Sequence, residues 1–160
     1  MTNIRIFTGC YDNCKSGNLV SISGDKGRSI GFNGNSYTKL APKKDFWSIW
    51  HDNIGKIDED ENNKYYMHEY YNQVLSHLDA NEVLSELQSF GEDVVLLCFE
   101  KEDEFCHRQL VAIWLERSLE IETQEISITN EGKIEFLERN QKYIDQFNEL
   151  LDVYMKKRKE

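Results

Sequence analysis

Two rhythms of apolar and polar positions run through this chain, and the switches between them mark its elements. Ile4-Arg5-Ile6-Phe7 has strand character and closes at Thr8-Gly9. Leu19-Val20-Ser21-Ile22-Ser23 reads as a second strand, after the turn Ser16-Gly17-Asn18. A glycine-rich stretch from Gly24 to Gly34 follows as a long loop, a length common in functional segments. After Pro42, the residues Phe46, Trp47, Ile49 and Trp50 fit a short helix, whereas Ile57 to Asn63 is acidic and polar and reads as a surface loop. Tyr66, Met67, Tyr70, Tyr71, Val74, Leu75 and Leu78 then recur every three to four residues, the period of an amphipathic helix. Asp79 and Glu82 have capping spacing for the next helix, which carries Val83, Leu84 and Leu87 and ends at Gly91.

Val94 to Phe99 is a nearly unbroken apolar run, as expected for the buried centre of a parallel sheet. Leu110, Val111, Trp114, Leu115 and Leu119 place a helix after it. Thr123 to Ile128 alternates more weakly, as a strand nearer an edge does. A last helix is predicted from about Lys133, with Leu137, Ile144, Phe147, Leu151 and Tyr154 as its apolar stripe. The succession from Val94 to Ile128 is a right-handed βαβ candidate. The pattern predicts a single α/β domain over residues 1–160. It has three layers: a mostly parallel sheet of about four to five strands, with helices on both faces.

A chain of 160 residues with 39% hydrophobic content buries a core without disulfide staples. Its formal charge of −10 argues against bulk nucleic acid as a partner, because phosphate neutralisation demands excess Lys and Arg. The one basic run, Lys156-Lys157-Arg158-Lys159, suits the negative end of a terminal helix. No charged-then-apolar leader pattern opens the sequence and no apolar run approaches membrane-spanning length. These features lead to the expectation of a cytoplasmic protein with all four cysteines reduced. A protein partner or homo-oligomer is left open.

The chemistry gathers where the central strand ends. Cys98 and Glu100 close the apolar run, and Cys106-His107-Arg108 open the following helix after a short acidic loop. A thiol in a helix's first turn meets free amides and the positive dipole end, which favour thiolate. Cys106 and His107 are therefore candidates for nucleophile and proton-transfer group, with Glu100 to orient them or to pair with Arg108. Arg108, with Cys98, Arg28, Ser21, Ser23 and Tyr37, is expected to bind a small anionic ligand such as a nucleotide or phosphate ester. The competing reading makes the triplet a structural lock in a non-catalytic interaction module. No cofactor is assigned. A zinc ion on Cys10, Cys14, Cys106 and His107 is the minor alternative, resting on the Cys-x3-Cys spacing.

Leu-Leu-Cys-Phe-Glu-Lys at 96–101, Phe-Cys-His-Arg at 105–108, and then Leu110, Ala112 and Trp114-Leu115 resemble the core signature of the domain of unknown function 488. Gly-Phe-Asn-Gly-Asn-Ser-Tyr at 31–37 and Leu-Ala-Pro at 40–42 are similar to its upstream block. The resemblance implies a compact three-layer α/β fold of bacterial or phage type and supplies no reaction or cofactor. Cys10 and Cys14 are not part of that pattern, which weakens the zinc alternative, and the loop Gly24 to Arg28 departs from it.

Overall fold

The computed structural model describes residues 5–159, with side chains through Lys156. Ile4, expected to open the first strand, and the side chains of Lys157, Arg158 and Lys159 lie outside what is described. Six strands form one sheet: β1 (Ile6–Cys10), β2 (Asn18–Ser21), β3 (Asn35–Ser36), β4 (Val94–Cys98), β5 (Thr123–Ile128) and β6 (Ile134–Leu137). Their spatial order is β3-β2-β4-β1-β5-β6. All neighbours run parallel except β5 and β6, which are antiparallel with Ile128 opposite Ile134. The α/β class and the mostly parallel sheet are as the pattern predicts, with one strand more than expected.

That strand corrects the reading of the C-terminal segment. Leu137, assigned to the stripe of the last helix, belongs to β6, and that helix starts only at Gln141. The helices are α1 (Lys44–Asp52), α2 (Glu59–Gln73), α3 (Ala80–Gln88), α4 (His107–Leu119) and α5 (Gln141–Lys159). A second correction falls on Ile57 to Asn63. Asp58 caps α2 by accepting from the Glu61 amide at 3.1 Å, and Glu59, Asp60 and Glu61 fill the first turn. Acids there favour a helix, because they face the positive end of its dipole. Asp79 caps α3 as its spacing suggested, accepting from the amides of Asn81 and Glu82.

Alternation along the strands divides the core in two. Ile6, Val20, Val94 and Leu96 join the larger cluster, to which all five α-helices contribute, through residues such as Phe46, Tyr70, Leu87, Leu110 and Phe147. Phe7, Val95, Leu97, Ile126 and Ile128 face the other way and are covered by Tyr11, Cys14 and Phe32. The expected third layer is therefore thin, built from loops and the single 3-10 turn Arg28–Ile30 rather than from α-helices. The helical layer places the first turn of α4 beside the carboxyl ends of β2 and β4, where sheets of this kind hold ligands.

Candidate functional site

β4 delivers Cys98 to the sheet's carboxyl edge, and Cys106 caps α4 with extended backbone, so the chain re-enters the edge eight residues later. Between them, the loop carries Phe99, Glu100 and Phe105 into the wall of a cleft of about 730 Å³. Cys98, Cys106 and His107 lie along one part of that wall. Ser23 and Asp25 of the loop after β2 line it too. Trp47, Trp50, Tyr66 and Phe105 make it largely aromatic.

His107 is buried, and its Nε2 lies 2.8 Å from the carbonyl oxygen of Ile22. A carbonyl only accepts, so Nε2 carries the proton and Nδ1 is left with its lone pair. That lone pair lies 3.9 Å from Cys106 Sγ. Burial, with some repulsion from Arg108, pushes the imidazole down to about 4, so it is neutral at pH 7. The orienting partner expected in Glu100 is thus the Ile22 carbonyl. Glu100 lines the cleft, and burial, then the nearby Glu104 carboxylate, raises its pKa.

The Cys98 and Cys106 sulfurs lie at disulfide distance, so this pair, unlike the other two thiols, is placed to be oxidised. Cys10 and Cys14 remain free and buried, and burial raises both thiols, Cys14 to about 12. Cys14 belongs to the loop-covered face, where its Sγ meets the Ile126 carbonyl. The zinc set Cys10, Cys14, Cys106 and His107 is therefore not assembled. Among the described residues, the metal-ligating atoms that converge are those of Cys98, Cys106 and His107, within 4.8 Å of one another.

Arg108 does not reach the cleft. Its guanidinium is fully buried and paired with Glu125, with Nη2 donating to Oε2 at 2.6 Å and Nε to both carboxylate oxygens. Nη1 donates to Cys98 Sγ at 3.3 Å, which ties this ion pair to the cleft's back wall. Thr8 donates to the same carboxylate, and Arg139 in turn donates to Thr8 and Gln109. Sequence reasoning missed Glu125. Its signal was an acid in the inward register of an alternating strand. Of the other anion-binding candidates, Cys98 and Ser23 line the cleft, whereas Arg28, Tyr37 and Ser21 do not. Arg28 donates to the Phe32 carbonyl, Tyr37 to Glu86, and Ser21 shares a hydrogen bond with Tyr11. Among the described residues lining the cleft, Lys44 is the only lysine or arginine.

Fold and cleft together define a parallel-sheet α/β protein with a cysteine–histidine pair at the strand carboxyl ends. The family model DUF488-N3a, described as the active DUF488-N3 subclade, matches residues 27–119, more than half of the chain. The protein belongs to this family, the domain of unknown function 488. The matched span holds Cys98, Glu100, Cys106, His107 and Arg108. It ends before β5, and so before Glu125. Neither a curated protein nor a solved structure gives a match. No helix among the described residues is long and apolar enough to cross a membrane.

Proposed function

We propose that the cleft is the active site of a cysteine-dependent enzyme acting on a small, ring-bearing molecule. The observation that carries this reading is the imidazole lone pair fixed toward Cys106 in an open, aromatic-lined cleft. In the reduced protein, the Cys106 thiol proton passes to His107 Nδ1 while the sulfur attacks an electrophilic carbon of the substrate. A buried imidazole holds that proton weakly, so it returns the proton to the departing group rather than storing charge. The first turn of α4 adds the positive end of its dipole. Trp47, Trp50, Tyr66 and Phe105 supply ring faces for stacking. With Arg108 and Arg28 occupied elsewhere, the substrate is not held by the arginine clamp that an anionic ligand would use.

A bond between the two neighbouring sulfurs sets a condition on this chemistry. Two electrons from a thiol reductant must open Cys98–Cys106 before Cys106 attacks anything. After reduction, iodoacetamide should label Cys106 at pH 7 faster than it labels free cysteine, and His107→Phe should slow the labelling roughly tenfold. A Cys106 rate at or below that of free cysteine removes the nucleophile. The rival reading, a structural triplet in an interaction module, draws on the sealed Arg108–Glu125 pair. It requires reduced Cys106→Ser to melt well below the reduced wild type. The enzymatic reading requires an unchanged melt.

A further inference from the structure

Next to the cleft is a second hollow of about 660 Å³, and the two share Trp47, Trp50, Phe99, Glu100 and Phe105. One elongated molecule can therefore lie in both. Their chemistry differs. The second hollow adds the carboxylates of Glu59, Asp103 and Glu104 to that of Glu100, and its described lining includes no lysine or arginine. Two cations of the same region are committed to other partners: Lys142 to Asp60 at 2.6 Å, and Arg139 to Thr8 and Gln109. Acidic side chains on a chain of charge −10 are unremarkable by themselves. Asn62 is not. It lines the hollow and is 3% exposed, and its Nδ2 donates to the Trp50 carbonyl at 2.9 Å. That bond fixes the amide's orientation and leaves Oδ1 as a buried acceptor without a partner. A buried acceptor in that position is open to a hydrogen-bond donor, which no neighbouring side chain provides, and an ammonium N–H is one.

We infer that the second hollow is a subsite for a protonated amine, so that the substrate of the cleft is an organic cation: a ring at the Cys106–His107 end and an ammonium group among Glu59, Asp103, Glu104 and Asn62. This rests on the reading of the cleft as the substrate site and names the substrate's charge. The aromatic lining by Trp50, Phe105 and Tyr143 suits the same occupant, because aromatic rings attract cations. Burial and the Glu104 carboxylate both raise Glu100, a condition that an arriving ammonium relieves.

The probes are phenethylamine and 3-phenylpropionate, which share a ring and oppose in charge, titrated into the reduced full chain. Trp47 and Trp50 line both spaces and report binding by fluorescence. Phenethylamine should quench saturably, bind at least roughly tenfold more tightly than the carboxylate, and slow iodoacetamide labelling of Cys106. Asp103→Asn with Glu104→Gln, both exposed positions, should abolish that preference without moving the melting temperature. Equal or tighter binding of 3-phenylpropionate overturns the inference. So does the absence of saturable amine binding up to ~10 mM, or a preference that survives the double substitution. If Cys106 labels quickly but the amine shows no preference, this inference alone fails. If the amine is preferred but Cys106 is inert, the nucleophile fails and the cation subsite stands.

Discussion

His107 and Arg108 are neighbours in the first turn of α4, and both are buried, yet they do opposite things with their polarity. Arg108 turns each of its three nitrogens to a partner: Glu125 through Nε and Nη2, and Cys98 through Nη1. His107 gives up its charge, uses one nitrogen to fix the ring, and leaves the other facing a sulfur at the cleft wall. A side chain sealed against its partners holds a structure together, whereas one held rigidly with a lone pair to spare can do chemistry. The division between architecture and candidate catalysis thus falls between two adjacent residues.

Removing one half of the sealed pair should give the largest effect. Arg108→Ala leaves the Glu125 carboxylate buried and uncompensated, which should cost about 3–5 kcal/mol in denaturant unfolding. Arg108→Met with Glu125→Leu should regain most of that loss. A single substitution costing under about 1 kcal/mol would place Arg108 on the functional side of the comparison. The next largest effect is one of pH. His107 has a folded pKa of about 4, below the ~6.5 of a free imidazole, so the unfolded chain takes up the proton first as pH falls. Its stabilising share is complete above pH ~6.5 and drains away between there and about 4, for a total of about 3 kcal/mol. Urea unfolding of wild type and His107→Gln across that window should show their difference shrinking by this amount, and a flat difference would mean that the ring is not held neutral.

Arg139 gives a third, smaller contrast. It donates to Thr8 and Gln109 at the margin of the Arg108 network, with its side chain 11% exposed. Arg139→Ala should lower stability by about 1–2 kcal/mol, since Glu125 keeps Arg108. A loss as large as that of Arg108→Ala would show that the two arginines act as one unit. The smallest effect is expected at Arg28 and Tyr37, whose partners lie away from the cleft. Alanine at Arg28 or phenylalanine at Tyr37 should leave the Cys106 labelling rate unchanged.

These contrasts also show what the sequence could and could not reveal. Val94 to Cys98 was legible because a strand buried on both faces must be apolar throughout. The convergence of Cys98, Cys106 and His107 was legible because a short loop confines them to one edge. The destination of Arg108 was not. Its partner lies on β5, brought into place only by the parallel register between β1 and β5, a long-range contact that no local pattern encodes. β6 escaped notice for a similar reason. Its four residues are held by the ladder to β5, while the spacing of Leu137 to Ile144 imitates a helix. The start of α2 was misread because acids that suit a loop suit a helix's first turn equally well.

Gly9, near the end of β1, lies under Cys14 so closely that a side chain there would meet the Cys14 sulfur and begin 3.0 Å from the Ile126 carbonyl oxygen. The covering strap on that face thus rests directly on bare backbone. Adding even one methyl group at position 9 would lift the strap and admit solvent to the smaller core, although no helix would be touched. The face without helices therefore has the narrower tolerance for change.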